Sequence, residues 1–432
     1  MENILKRKHI YLLFLYSLVN KTMALQIVFK IYPLVILLMA MLLPGSAEAR
    51  NRTEENSETI DISQETQMSI LTVGPGNPMY TMFGHTAIRL QDRKKKIDVV
   101  YNYGTFDFET RNFALKFLYG NLNYFLSKSS FEVFSVDNQA LGRSIREQVL
   151  NLSAGEIQKI VREMEKEMNS EDRFYRYEFF RNNCTTKVRD LLARNQLFTP
   201  VSINTSSSFD PSFRRLLKPY LELRPWIGFS VNLLLGTPAD VVADEWQQNY
   251  LPYVFYQTLA NAELPNSSEP LISKTSLLVP APNMPTSINR LTPGLVLWTL
   301  FFIIIVITLL DFLNKIDSSW VDRILFGAVG LVGLVLFPVS FLSLHEPLQP
   351  NLNLLWALPT HLIIATGARY WQNKTWFRYY QWFALILYAA LLAGWFWIPQ
   401  QLLVAVIPIL LAIVIRLFYR LANNRQISYE RR

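Results

Sequence analysis

The last third of the chain sets the strongest constraint on its fold. From Leu295 onward five apolar stretches follow one another, near 295–313, 324–344, 352–368, 379–398 and 401–418. A helix of about 20 apolar residues crosses the ~30 Å hydrocarbon layer of a membrane, and lipid-exposed backbone has no other open form that satisfies its polar groups. Residues 291–432 are therefore expected to form an all-α transmembrane domain of five helices. The third stretch is short and carries Pro359 and His361. Half of the 432 residues are hydrophobic, which disfavours a purely soluble protein.

The connecting loops set the orientation. Lys315 and Arg323 lie in the first loop, Arg369, Lys374 and Arg378 in the third, and Arg420, Arg425, Arg431 and Arg432 in the tail. The second loop, 345–351, and the fourth, around Pro399, have no Lys or Arg. Basic loops stay on the cytoplasmic side, so the C-terminus is expected inside and residues 50–290 outside. A second signal agrees. The apolar run Ile31–Leu43 follows Lys30 and ends in Pro44-Gly45-Ser46 and Ala47-Glu48-Ala49, the pattern of a secretory signal peptide over 1–49 with small residues at the cleavage site. A signal opening at Met23 has ordinary proportions and leaves His9 ahead of it; a retained anchor is the alternative. LVPAPNMPTS, 278–287, reads as a Pro-rich spacer between the exported domain and the helices.

Lys plus Arg exceed Asp plus Glu by 42 to 34, an excess that cytoplasmic loops or a membrane surface explain, and no nucleic-acid partner is expected. One cysteine makes no internal disulfide, and with four histidines it leaves too few soft ligands for a structural zinc site. No phosphate-cradling Gly-rich loop ending in Lys-Ser/Thr is present, and no metal, nucleotide or other cofactor is expected.

Within 50–290, MSILTV (68–73), HTAIRL (85–90) and IDVVYNYGTF (97–106) predict short strands. Ser153 and Glu156 form a capping box ahead of a helix whose Ile157, Ile160, Val161, Met164 and Met168 share a face. A second helix is expected from about Cys184, capped by Asn182 or Asn183. Strands beside helices make the domain α+β.

Cys184 is the sole thiol, is exported to an oxidising compartment, and stands where a helix begins, so unpaired amides and the helix dipole favour its thiolate. A buried small hydrophobe is the ordinary fate of a lone cysteine, but Asn182, Asn183, Thr185 and Thr186 make its surroundings polar. A nucleophilic cysteine needs a base, and residues 50–290 hold one histidine, His85, at the head of a predicted strand. Asn102 in YNYG is the candidate orienting group, with Tyr101 and Tyr103 as alternatives.

The order of His first and Cys about a hundred residues later at a helix start resembles the circularly permuted branch of the papain-like NlpC/P60 superfamily. MFGHTAIRL, YNYGTFDF, YRYEFFRNNCTTKVRDLL (175–192) and LLLGTPAD (233–240), followed by the apolar stretches, resemble the Lnb family of bacterial lipoprotein N-acyltransferases. The resemblance implies a multi-pass protein of the bacterial inner membrane. It would move an acyl chain from the glyceryl group of a lipoprotein's modified cysteine to that residue's α-amine through a thioacyl enzyme. Cys184 would be the nucleophile and His85 the base, with the Cys184 N–H stabilising the oxyanion. The expected partners are a lipoprotein or phospholipid substrate and the membrane. A cell-wall peptidase or amidase using the same dyad, and a non-enzymatic envelope transport or assembly scaffold, are the competing readings.

PWIGFSVNLLLG (225–236) and NYLPYVFYQTL (249–259) read either as an interfacial docking surface or as ordinary core. Arg189 and Asp190 read as structural, His345 as an outer-side group able to approach the site, and His361 as a neutral imidazole bonding between helices.

Overall fold

The three expected strands form, β1 and β2 buried along nearly their whole length, and four more join them. The computed structural model describes residues 60–107, 109–198, 211–265, 268–281, 291–314, 316–371 and 374–429. The expected signal peptide and its cleavage site lie outside these residues. Strands β1 (Gln67–Val73), β2 (His85–Asp92) and β3 (Ile97–Thr105) are antiparallel neighbours. The short helix α1 (Phe113–Tyr119) belongs to residues 106–122, a unit of its own in which Phe113 stacks on Phe106 and Phe117. β4 (Asn123–Ser130), α2 (Phe131–Ala140), β5 (Ile145–Leu150), α3 (Ala154–Met168), β6 (Phe174–Arg176) and α4 (Cys184–Arg194) follow. The sheet is completed by β7 (Ile272–Val279) in the order β6-β4-β3-β2-β1-β5-β7, every pair antiparallel.

Helix α3 starts at the capping box Ser153/Glu156 and buries Ile157, Ile160, Val161 and Met164, while Met168 is only half-buried. Its Glu165, a polar residue on the buried face, is satisfied by Tyr101 Oη at 2.5 Å and Lys128 Nζ at 3.0 Å. The domain thus combines an antiparallel sheet with helices, as its sequence pattern predicts. The spacer begins later than expected: Leu278 and Val279 lie in β7, because ISKTSLLV finds an open strand edge and Val279 pairs with Ile145. Residues 282–287 of the expected spacer are outside the described residues.

Four helices then lead to the C-terminal region: α5 (Phe213–Glu222), α6 (Pro225–Leu234), the single turn α7 (Glu245–Gln248) and α8 (Pro252–Ala260). The C-terminal region is helical, with α9 (Pro293–Phe312), α10 (Ser319–Leu342), α11 (His361–Trp371), α12 (Thr375–Ala393) and α13 (Ile407–Tyr429). Among the described residues three helical segments are long and apolar enough to cross a membrane, Pro293–Phe312, Ser319–Leu342 and Val404–Ala422. The expected third span, 352–368, is a correction: 3-10 turns cover Leu352–Leu355, and α11 begins only at His361 and has 11 residues. Pro359 removes a backbone donor and disfavours helix at the residue before it, so the stretch breaks there. The expected 379–398 helix starts earlier and stops at Ala393, and the expected 401–418 helix starts at Ile407 after a 3-10 turn.

The exported domain joins these helices through the segment Leu233–Asp240. The Leu233 side chain is buried in the helical core with Phe326, Ala384 and Leu410. The unpaired carbonyls at the C-terminus of α6 are capped from the loops of the helical region: Asn351 Nδ2 donates to Leu233 and Leu234 O at 2.8 and 2.9 Å, Asn353 Nδ2 to Leu233 O at 3.1 Å, and Gln400 Nε2 to Leu235 O at 3.1 Å. Arg214, 5 % exposed, ties Leu235 O and Gly236 O to the Asp240 carboxylate. Gly236 lies so close to the 348–350 backbone that a Cβ would stand 2.4 Å from Pro350 O and 2.9 Å from the Leu348 carbonyl carbon. Neither is a side-chain end that can swing away, so Gly236→Ala is expected to cost about 1–3 kcal/mol. A lower melting temperature of the full chain in detergent checks this, and unchanged melting would refute it. The stretch 225–236 is therefore shared between the two cores, with Ile227 and Val231 against the exported domain and Phe229 and Leu234 against the helices. In 249–259, Tyr250, Leu251, Phe255 and Leu259 are ordinary core.

Candidate active site

Asn183 fixes the start of α4. Its Oδ1 accepts from Thr185 N and Thr186 N at 2.8 and 2.9 Å, and Thr186 Oγ1 accepts from Asn183 N at 2.8 Å. Its Nδ2 donates to Phe179 O and Tyr250 O. Of the two asparagines named from the sequence, Asn183 is thus the cap, and Asn182 bonds to Arg176 O instead. Cys184 is the first residue of the helix, half-buried, with its N–H left without an acceptor among the described residues.

His85 opens β2, and its Nε2 donates to Asn102 Oδ1 on β3. Asn102 Nδ2 donates to Thr105 Oγ1 at 3.3 Å, and its Oδ1 faces the ring. An amide oxygen carries no proton, so Nε2 must, and the Nδ1 lone pair is the one free to accept. Tyr101 and Tyr103, the alternatives to Asn102, point elsewhere: their hydroxyls donate to Glu165 and Glu167 on α3 at 2.5 and 2.7 Å. Alternation along the strand turns Asn102, between them, the other way.

Gly104 lets the two halves meet. The β3–β4 pairing shifts between Asn102 and Thr105, and Gly104 takes φ +93°, a conformation that glycine adopts without strain. A Cβ there would stand 3.4 Å from Cys184 Cβ, 3.7 Å from His85 Cε1 and 3.8 Å from Tyr175 Oη. The absent side chain is the space that these groups share.

Burial alone pushes the Cys184 thiol up. The positive His85 ring, its hydrogen bond to the sulfur, the Thr86 N–H and the Thr185 hydroxyl together outweigh it, and the thiol is lowered to about 7. Thr185 Oγ1 is held by Thr86 Oγ1 at 3.0 Å. The rate of Cys184 alkylation by iodoacetamide is accordingly expected to rise with pH through a midpoint near 7. In His85→Ala the lowering partner is gone while burial remains, so the midpoint moves upward. An unmoved midpoint in that variant would contradict the assignment of His85 as the partner.

The structure thus brings Cys184, His85 and Asn102 together. Arg189 and Asp190 pair with one another at 2.7 Å, and Arg189 also donates to Trp246 O and covers the Trp246 ring, a structural arrangement. His345 heads the loop whose next residue, Glu346, pairs with Arg181 at 3.0 Å, three residues before Cys184. His361 is buried between Tyr380 and Tyr388 hydroxyls, bonding between helices. Tyr175, Thr86 and Gly104 were not singled out by the sequence reading. The alternating aromatics of YRY just ahead of NNC were the available signal for Tyr175.

Residues 52–219 match a family model described as the Lnb N-terminal periplasmic domain, and residues 285–426 match one described as the Lnb transmembrane domain. The segment between them, which contains the joint at Leu233–Asp240, lies outside both matches. No curated protein and no solved structure matches the chain.

Proposed function

The chain belongs to the Lnb-type family, with an N-terminal periplasmic domain and a C-terminal membrane domain, and from that premise we propose that it is a cysteine acyltransferase acting on bacterial lipoproteins at the outer face of the inner membrane. The observation that carries this reading is the meeting of Cys184, His85 and Asn102, with the thiol lowered to about 7, in a chain whose C-terminal helices are apolar enough to span a bilayer. In this reading 1–49 is removed as a signal, residues 50–290 form a permuted papain-like periplasmic module, and residues 291–432 form the membrane domain with the C-terminus in the cytoplasm.

His85 Nδ1 takes the thiol proton, and Asn102 holds the ring with Nε2–H outward from the sulfur. The Cys184 thiolate attacks a glyceryl ester carbonyl of the diacylated lipoprotein cysteine. The leaving alkoxide takes the proton back from His85, and a thioacyl enzyme and a lyso-lipoprotein arm remain. The α-amine of the same lipoprotein then attacks the thioester, His85 removes its proton, and the thiolate departs. No metal, nucleotide or nucleic acid enters this scheme. The joint at Leu233–Asp240 supports the reading from a second side, because it ties the domain that carries Cys184 to Asn351 and Gln400 in loops of the helical region, which this reading puts on the outer face of the membrane.

The test is mass spectrometry of the N-terminal peptide of a lipoprotein co-produced with the full chain. The expected product has an N-acylated amine and one acyl chain fewer on the glyceryl group. A diacylglyceryl peptide with a free amine would overturn the proposal, and a shortened cell-wall stem peptide in the same cells would point to the peptidase reading instead.

A further inference from the structure

A buried hydroxyl beside Cys184 has no hydrogen-bond partner among the described residues. Tyr175 is the middle residue of β6, opposite Tyr124 in β4, and 8 % of it is exposed. Its ring meets Tyr103 edge-on and Tyr124 at a tilt, both with centroids 6.4 Å apart, and Lys187 Nζ stands 4.4 Å from its centroid. The phenol is therefore held from three sides and does not turn freely. Its Oη makes no hydrogen bond to any described residue. Buried hydroxyls are nearly always bonded, so an orphan of this kind requires a reason. The position of Oη supplies one. It lies 3.8 Å from the point where a Cβ of residue 104 would be, and Cys184 Cβ and His85 Cε1 lie 3.4 and 3.7 Å from that same point.

We propose that Tyr175 Oη is a catalytic hydrogen-bond donor to the carbonyl oxygen that Cys184 attacks, forming with the unpartnered Cys184 N–H a two-donor oxyanion site. This rests on the acyl-transfer reading. When the thiolate forms its bond to the ester carbon, the carbonyl π pair moves onto the oxygen, and that oxygen accepts from Tyr175 Oη–H and Cys184 N–H. Collapse restores the carbonyl and breaks the C–O bond to the glyceryl oxygen, which takes the His85 proton. In the second half the amine nitrogen bonds to the same carbon, the oxygen again carries the charge between the same two donors, and the C–S bond breaks. Tyr175 gives up no proton in either half. Burial, and then the neighbouring Cys184 charge, push its phenol well above the ordinary range, so it remains a donor beside the thiolate. A donor with no ground-state partner is preorganised for a charge that develops only in the transition state.

The experiment compares the full wild-type chain, Tyr175→Phe and Cys184→Ala in detergent micelles. Two readouts are used, release of p-nitrophenol from a p-nitrophenyl acyl ester and alkylation of Cys184 by iodoacetamide. Alkylation displaces iodide at a saturated carbon and creates no oxyanion. Tyr175→Phe keeps the ring packing and removes only the unpartnered hydroxyl, so its melting temperature is expected not to fall. Its kcat on the ester is expected to drop about 10²–10³-fold with little change in KM, while its alkylation rate and pH midpoint stay as in wild type. Wild-type kcat in Tyr175→Phe, with Cys184→Ala inactive, overturns the role of Tyr175 and leaves the acyl-transfer reading standing. An equal loss of alkylation and ester turnover also overturns it, since the hydroxyl would then act on the thiol and not on the oxyanion. Ester turnover that survives Cys184→Ala sinks the acyl-transfer reading itself, and this role with it.

Discussion

Replacing Cys184 with alanine is expected to leave a co-produced lipoprotein with its free N-terminal amine and both glyceryl acyl chains, a loss of at least about 10³-fold in product formation. The nucleophile has no substitute, since Cys184 is the sole cysteine of the chain and the surrounding hydroxyls of Thr86 and Thr185 are engaged with one another. The fold is expected to survive. Cys184 is the first residue of α4, and the bonds that hold the helix start belong to Asn183, Thr185 and Thr186. A melting curve like that of wild type together with an unmodified lipoprotein is the expected pair of results. An N-acylated lipoprotein from the alanine variant would show that the chemistry does not pass through this thiol.

The elements whose signals are local were legible in the sequence. β1, β2 and β3 follow from β-branched and aromatic runs bounded by turn residues, the Ser153/Glu156 capping box and the start of α4 from capping within a few residues, and all are present. The partnership of Cys184 with His85 was legible for a different reason, scarcity: one thiol and one histidine in the exported stretch leave a single pairing. Asn102 was named among three neighbours, and strand alternation, which sends Tyr101 and Tyr103 to α3, is what selects it. Contacts that depend on distant segments had no signature. Gly104 reads as one residue of the strand 97–106 until Cys184 Cβ is seen 3.4 Å from its missing Cβ. The stretch 225–236, read as a docking surface or as core, gave no sign that Asn351 and Gln400, more than a hundred residues on, cap the carbonyls at its end. Hydropathy also overstated the third apolar stretch, because an average over 352–368 is blind to where Pro359 ends the helix that its neighbours would otherwise form.

Asp322→Ala is expected to be the most damaging change in the helical region. Asp322 on α10 is 1 % exposed and accepts from Arg416 Nε and Nη2 on α13 at 2.6 and 2.7 Å and from Arg420 Nε at 2.7 Å. Arg416, also 1 % exposed, donates in addition to Thr308 Oγ1 on α9 at 3.0 Å and to Ser318 O at 3.2 Å. The cluster therefore locks together the three helices that, among the described residues, are long and apolar enough to cross a membrane. Alanine at 322 removes the carboxylate and leaves the buried Arg416 guanidinium without its counter-charge, which is expected to cost about 3–5 kcal/mol. The penalty belongs to the uncompensated charge and not to a lost attraction, and this distinguishes it from loss of packing. Replacing both partners, as in Asp322→Leu with Arg416→Met, removes the stranded charge and is expected to recover most of the stability, because buried ion pairs and apolar side chains of similar volume are often nearly equivalent. Arg420, 17 % exposed at its side chain, can turn toward solvent or headgroups in both variants. Thermal unfolding in detergent provides the measurement. A large drop in the single variant with recovery in the double is the expected pattern. A double variant as unstable as the single would mean that the shape of this cluster, and not its charge balance, holds the three helices together.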